Sequence, residues 1–434
     1  MFSIFAFGSG QLLRLATNLV VSRLVTPGEF GLMALATAIL VVLTLISDIG
    51  LRQCIVRSPN GDSPQMLHSA WTLQVIRGGL IFTICCLIGL CIGSLVPLAG
   101  VATASVYSHP ELPYVISTLG LTSLILGFNT ARSHTAQRRL DLKRPALVEV
   151  GSQIATVVVT LALAYHNRTV WAFVGGAIAG ALTQVALNGI LMPGPRDRFM
   201  LDRDSVHELI GFGRWILLSS TVFVLASNGD RLLLGHWISA SALGLYSIAV
   251  ALASLPEMVV GRLLNSVALP ALSEVYRNHP GRLTEVYYRF RLPLDIVLFG
   301  LSGLLLAVGP GLIELMYDPR YLGAGPLLQI LSISAIFARH GLDGCLYMAC
   351  GRPQHLSTIH LVKLVSMFVL LPVGFFLADL SGAVLGVSLV ALPTLPLIYW
   401  INSRMGVLDW WREARAVPAW PAGFLVGQLL LSLN

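Results

Sequence analysis

From one end to the other, the chain alternates apolar stretches of about twenty residues with short connections rich in Arg, Pro and Gly. A helix needs ~20 mostly apolar residues to cross a bilayer. In hydrocarbon, every backbone polar group must also find its partner within the protein. The pattern therefore predicts an all-α polytopic membrane protein. Charge agrees: Asp, Glu, Lys and Arg make up 11% of the 434 residues, against roughly 25% in soluble domains.

The turn and charge punctuation predicts about 12 transmembrane helices, over 3–25, 29–51, 69–93, 112–134, 145–166, 169–191, 207–238, 242–270, 286–309, 321–349, 355–377 and 380–402. The stretch from Phe2 to Val25 has no basic lead and no small-x-small cleavage site, and it contains Arg14 and Arg23. It reads as a retained first span rather than a signal peptide. Pro418 to Asn434 is apolar but short and broken by Pro421, so it is either a truncated extra span or an interfacial helix, with the second preferred. Six cysteines lie in or beside apolar segments without metal-ligand spacing and read as packing residues.

Cytoplasmic loops retain Lys and Arg during insertion. Alternate connections here carry 18 basic residues, including Arg52, Arg132, Arg139, Arg198, Arg291 and Arg412, whereas the opposite set has only 3, Arg168, Arg231 and Arg320. This asymmetry predicts a cytoplasmic N-terminus and a multi-pass protein of the bacterial inner membrane. An internal repeat sets the architecture. Ser22 to Leu32, read Ser-Arg-Leu-Val-Thr-Pro-Gly-Glu-Phe-Gly-Leu, resembles Gly235 to Leu245 at an offset of 213 residues, close to half the chain. Six spans lie between the copies, so both halves enter the membrane in the same direction. That predicts two pseudo-symmetric six-helix bundles around a central cavity. The expected division is residues 1–195, residues 196–416 and a short apolar tail, 417–434.

Intramembrane polar residues indicate the site. Gln11, Arg14, Asn18 and Ser22 recur at i, i+3, i+7 and i+11, on one face of the first span. Ser220, Ser227 and Arg231 do the same in the seventh, with Asp230 beside them. A mid-span Arg facing lipid costs ~2.5–3.5 kcal/mol or more, so Arg14 is expected in a lined cavity or a buried ion pair. Arg214 is expected to snorkel; Arg23 and Arg231, near outer ends, can do either. Arg77, Arg262 and Arg339 lie deep in their spans. Arg339 and Asp343, spaced i, i+4, suggest a local ion pair. Asp48, Asp230, Glu257, Asp295 and Asp343 are candidate partners for these bases or ligands for a coupling cation. Arg outnumbers Lys 26 to 2, and a planar guanidinium suits bidentate binding of phosphate oxygens. No Walker loop, nucleophile triad or metal cluster stands out, so no cofactor and no bond chemistry are expected.

The run Gln11-Leu-Leu-Arg14-Leu-Ala-Thr-Asn18-Leu-Val-Val-Ser22-Arg23 and its continuation through Pro27 and Gly31 carry a family resemblance. So do Ser47-Asp48-Ile49-Gly50-Leu51, Gly229-Asp230-Arg231-Leu232, Gly261-Arg262-Leu263-Leu264-Asn265 and Pro270-Ala271-Leu272. In order and spacing, over essentially the whole chain, the sequence resembles the Wzx-like oligosaccharide flippases. These belong to the polysaccharide transporter branch of the multidrug/oligosaccharidyl-lipid/polysaccharide (MOP) exporter superfamily, whose fold is MATE-like. The chain departs from the family in lacking a basic amphipathic lead and in stopping early relative to fourteen-span members. The resemblance implies that spans one, two, seven and eight line the cavity and carry Arg14, Arg23, Asp48, Asp230, Arg231, Glu257 and Arg262. It further implies flipping of a polyprenyl-diphosphate-linked oligosaccharide for exopolysaccharide, capsule or O-antigen assembly, alongside the polymerase and glycosyltransferases of such a pathway. Substrate contacts are thus expected at Arg14, Asn18, Arg23, Arg77, Arg231, Arg262 and Arg339, and ion coupling at Asp48, Asp230, Glu257 and Asp343. The alternatives are an ion-coupled multidrug exporter of the same superfamily, which would favour acids over arginines in the cavity, and a membrane polymerase or ligase. The latter would need a large outer loop with catalytic residues, and the longest here, about Ser94 to Glu111, is short.

Overall fold

The computed structural model describes residues 13, 16–58, 60–98, 105–138, 143–194 and 197–432, and among these it contains helices and no strand. Seven helices among the described residues are long and apolar enough to cross a membrane, and Leu112–Gly127 is a shorter apolar one. By packing, the chain separates into two compact units. The first takes the described residues up to Val224 together with Arg231–Gly244; the second takes Leu225–Asp230 and Leu245–Asn434.

The first unit holds α1 (residues 16–22), α2 (Pro27–Ile46), α3 (Leu51–Arg57), α4 (Pro64–Leu98), α5 (Leu112–Gly127), α6 (Arg132–Arg138), α7 (Lys143–His166), α8 (Trp171–Leu191) and most of α9 (Arg203–Trp237). Lipid offers no hydrophobic drive for helix association, so small residues that let backbones approach decide which helices pair. A Cβ built on Gly176 would lie 1.9 Å from Thr160 Oγ1 of α7, one on Gly180 2.0 Å from Thr156 Oγ1, and one on Gly78 of α4 2.5 Å from the Ser123 carbonyl of α5. α2 starts on Pro27, whose missing N–H costs nothing at the first helical turn. Between α2 and α3 the chain turns through Gly50 at φ 62°, where a side chain would be strained. Asp48 Oδ1 accepts the Gly50 N–H at 3.0 Å and closes the turn.

The repeat recognised in the sequence is also a contact. α10 (Ala240–Ala253) begins where α9 ends. A Cβ on Gly31 would fall 1.8 Å from the Ala240 carbonyl oxygen and 2.9 Å from Gly244 N; one on Gly244 would fall 1.9 Å from the Pro27 carbonyl oxygen and 3.1 Å from Gly31 N. Pro27 and Ala240, like Gly31 and Gly244, are 213 positions apart. Equivalent residues of the two copies therefore meet each other reciprocally.

The second unit continues with α11 (Leu255–Leu263), a π turn over Leu264–Ala268, α12 (Leu269–Asn278), α13 (Leu283–Met316), α14 (Ala324–Leu331), α15 (Ser334–Phe337), α16 (Gly341–Ala349), α17 (Gln354–Ser388), α18 (Leu395–Arg404), α19 (Trp410–Ala414) and α20 (Ala419–Ser432). α17 is interrupted at Ala378 and Asp379, whose backbone angles are non-helical. The chain doubles back there: Gly382 lies against the Gly374 carbonyl and Gly386 against that of Leu370. This break coincides with the boundary expected between spans 355–377 and 380–402. α20 packs along α13 with Gly423 against Gly300 and Gly427 against Ala307, so the two helices run parallel. The six cysteines are all free.

Candidate functional site

Polar side chains gather at three places. In the first unit they line a cavity of about 1030 Å³. α7 contributes Glu149, Ser152, Gln153 and Thr156, spaced i, i+3, i+4 and i+7, and α8 contributes Gln184 and Asn188 one turn apart. Asn18 of α1 joins them, with Asn129, His134 and Arg52. Five carboxamides, each both donor and acceptor, make a lining that can bond hydroxyl groups in either sense. Of the described residues expected at the site, only Asn18 lines this cavity. The polar faces of α7 and α8 were visible in the sequence as helical spacing but are weak signals, since Ser, Thr and Gln also occur at helix contacts.

Arg77 and Asp48 find each other. Arg77 Nη1 lies 3.7 Å from Asp48 Oδ1, Nε donates to Ser47 Oγ at 3.1 Å, and Nη2 donates to the Thr44 carbonyl. The guanidinium thus caps the last turn of α2, where carbonyls lack helical partners and the dipole favours a cation.

In the second unit, Asp230 and Glu257 line one cavity of about 280 Å³ with Ser227, Tyr246, Ser254 and Lys363. Tyr246 Oη donates to Asp230 Oδ2, while Asp230 Oδ1 is buried without a hydrogen-bond partner. A neighbouring cavity, also about 280 Å³, shares Glu257 and Lys363 and adds Asn265, His340 and His360.

The third place is a buried ionic cluster. Arg291 of α13 is 1% exposed. Its Nη2 donates to Glu413 Oε2 at 3.0 Å, its Nη1 donates to the Arg339 carbonyl at 2.8 Å and lies 3.4 Å from Asp343 Oδ2, and its Nε lies 3.4 Å from Asp295 Oδ2. Arg339 Nη2 approaches Asp295 Oδ2 at 3.0 Å and also pairs with Glu413 Oε2. Asp343 Oδ1 accepts from Tyr287 Oη at 2.7 Å and from Asn402 Nδ2 at 2.7 Å. Two expectations are corrected here. Arg339 and Asp343 do not form a local i, i+4 pair, because carboxylates from α13 and α19 reach Arg339 while Arg291 and His340 reach Asp343. Arg291 is also not a loop charge, since α13 carries it inside the unit.

Arg14 lies outside the described residues. Arg23, Glu257 and Arg262 are exposed and Arg231 is half-buried. Among the described residues no group of three or more His, Cys, Asp or Glu could hold a metal ion.

Similarity to known proteins gives these places a context. A sequence profile described as "Polysaccharide biosynthesis protein" matches residues 20–326. The lipopolysaccharide biosynthesis protein WzxC of Escherichia coli (strain K12) is 23% identical over 390 residues, 88% of this chain and 75% of WzxC. The teichuronic acid biosynthesis protein TuaB of Bacillus subtilis (strain 168) is 24% identical over 319 residues, 71% of this chain but only 62% of TuaB. Among solved structures, the lipid II flippase MurJ superposes with a TM-score of 0.60 at 12% identity, covering 100% of this chain and 98% of MurJ. A multidrug resistance MATE family transporter of the MOP superfamily gives 0.58 at 14%, covering 98% and 95%. At such identities the structures establish the fold alone. With the profile spanning most of its length, the chain belongs to the polysaccharide biosynthesis protein family, built on the MOP transporter fold.

Proposed function

We propose that the protein flips a polyprenyl-diphosphate-linked oligosaccharide from the cytoplasmic to the periplasmic leaflet, for exopolysaccharide, capsule or O-antigen assembly. Its cytosolic suppliers are glycosyltransferases and its outer consumer a polymerase. The observation that carries this reading is the carboxamide-lined cavity of about 1030 Å³ in the first unit of a polysaccharide-family chain. Its lining suits sugar hydroxyls better than the flat cations a drug exporter handles. The diphosphate needs guanidinium groups, for which we assign Arg14 and Arg262, supported by Arg23 and Arg231. Arg77 and Arg339 are engaged by carboxylates and have no part in this anion site. A coupling cation is assigned to Asp230 and Glu257, supported by the unpartnered Asp230 Oδ1 in their shared cavity. In this reading residues 1–195 and 196–416 are the transport lobes. Of the two alternatives for the tail, residues 417–434, the parallel packing of α20 on α13 supports a truncated extra span over the interfacial helix preferred from the sequence.

In proteoliposomes carrying a fluorescent lipid-linked sugar, the wild-type protein is expected to move the label between leaflets. Arg14→Gln and Arg262→Gln are expected to abolish this movement at normal folding and yield. Lys at either position should restore it only in part, because an ammonium lacks the bidentate fork. Wild-type transport by both Gln variants would overturn the assignment of the anion site.

We further propose the bacterial inner membrane with a cytoplasmic N-terminus, supported by the basic-loop asymmetry. Single cysteines at His109 and Arg139, in a background without native cysteines, should react with an impermeant reagent in intact spheroplasts at His109 alone. Equal labelling at the two positions would overturn this topology.

A further inference from the structure

The buried cluster is one charge out of balance. Arg291 and Arg339 supply two positive charges, and Asp295, Asp343 and Glu413 supply three negative ones; all five residues are more than nine-tenths buried. Arginine does not deprotonate in proteins, so it cannot adjust. Nor is the surplus carboxylate satisfied by neutral donors: both Asp295 oxygens are buried without a hydrogen bond. In a low-dielectric interior an uncompensated charge is strongly unfavourable, so the cluster must hold one more proton, on a carboxylate or on a neighbouring base.

The geometry shows where it can be held. Asp343 takes two hydrogen bonds on Oδ1, from Tyr287 and Asn402. Its Oδ2 faces Arg291, and His340 Nδ1 lies 2.8 Å from it. Surrounded by donors, Asp343 is an acceptor, which makes His340 Nδ1 the donor in that contact. The nitrogen left to gain or lose a proton is Nε2. His340 is also the member of this group that lines the neighbouring cavity. We propose that His340 is a proton-binding site: Nε2 takes up one proton from the cavity, and the resulting imidazolium completes the charge balance of the buried cluster.

The groups around His340 support uptake. On its own segment stand Arg339 and Asp343; α13 adds Tyr287, Arg291 and Asp295, and α19 adds Glu413. Tyr399 of α18 packs edge-on at 6.2 Å between ring centroids. Across the cavity are Glu257 of α11 and His360 and Lys363 of α17. The ionisable residues of α12, Glu274, Tyr276 and Arg277, are exposed. Four carboxylates thus face three fixed cations, and the imbalance of one negative charge persists when the cavity is counted. Glu257 and Lys363 line the Asp230 cavity as well, so a proton on His340 changes the field at the carboxylates assigned to cation coupling. The proton site itself stands whatever cargo the protein carries.

The test is a nitrogen NMR titration of the full-length protein in detergent micelles, labelled with ¹⁵N-histidine. The chain has ten histidines, and the signal absent from His340→Gln, or from His340→Asn if the first variant does not accumulate, belongs to His340. Its Nε2 is expected to gain a proton as the pH is lowered while Nδ1 stays protonated throughout. Asp295→Asn removes the surplus charge and should weaken proton binding by about tenfold or more, a downward shift of about one pH unit in the midpoint. Glu257→Gln, on the exposed side, should shift it in the same direction by less, and it serves if Asp295→Asn does not fold. A His340 that stays neutral across the range, or a midpoint that both charge-removing variants leave in place, would overturn the proposal.

Discussion

Replacing Arg291 with Met is expected to remove most folded protein from the membrane, at a cost of about 3–5 kcal/mol, the usual effect of taking one partner from a buried ionic group. Arg291 is among the largest fully buried side chains. It touches Asp295, Asp343 and Glu413 together. Without it, Asp343 loses its guanidinium contact while remaining sealed from water, and α19 loses its ion pair to α13. Arg291→Lys should recover only part of the loss, since an ammonium cannot span three carboxylates through a planar fork. A compensated variant, Arg291→Met with Glu413→Gln, should be more stable than Arg291→Met alone, because one surplus buried charge is gone. Thermal unfolding of the detergent-solubilised protein, followed by size-exclusion fluorescence, measures both comparisons. An Arg291→Met protein that melts with the wild type would show that the cluster contributes nothing to stability.

The second large effect is expected at the paired glycines. Gly31→Val should cost about 3 kcal/mol, at the top of the range for overpacking a tight interface, and Gly244→Val should do the same. At each site the first atom met by an added Cβ is a backbone carbonyl oxygen, Ala240 for Gly31 and Pro27 for Gly244, at 1.8 and 1.9 Å. A backbone atom cannot rotate away as a side chain could, so the helices α2 and α10 must separate. The flanking contacts that hook this end together, Ser105 Oγ to the Gly235 carbonyl at 2.9 Å and Tyr107 Oη to that of Leu232 at 3.1 Å, would be strained with it. Because the two glycines face each other, the double variant should cost less than the sum of the singles, since helices already parted for the first side chain make room for the second. Strict additivity in thermal unfolding would argue that the two positions do not share one interface.

The elements that could be read without a structure are those dictated by the bilayer. Its thickness sets the segment length, its lack of water forces helices, and insertion sorts Arg into alternate connections, so spans and their punctuation are written locally. The break at Ala378 and Asp379 is an instance: Leu377 and Leu380 bound the two expected spans, and the helix is interrupted between them. The repeat was legible for a related reason, since a close backbone contact admits only Gly at Gly31 and Gly244 and so leaves the same residue in both copies.

The ionic cluster was not legible. Arg291 bonds partners 48 residues away at Arg339 and 122 away at Glu413, and Arg339 meets Glu413 across 74. Nothing in local spacing announces such pairs. Local spacing even misdirected the reading of Arg339 with Asp343, because a residue at i+4 is only one of the neighbours a buried guanidinium can choose. The cavity of the first unit is a similar case: the polar faces of α7 and α8 are periodic in the sequence, but only their packing against each other makes them a lining. The sequence by itself determined the solvent, the helical class and the repeat, because hydropathy, insertion and backbone clearance act residue by residue. Tertiary structure alone decided which charges neutralise one another, because electrostatic pairing in a low-dielectric interior depends on distances that only the folded chain defines.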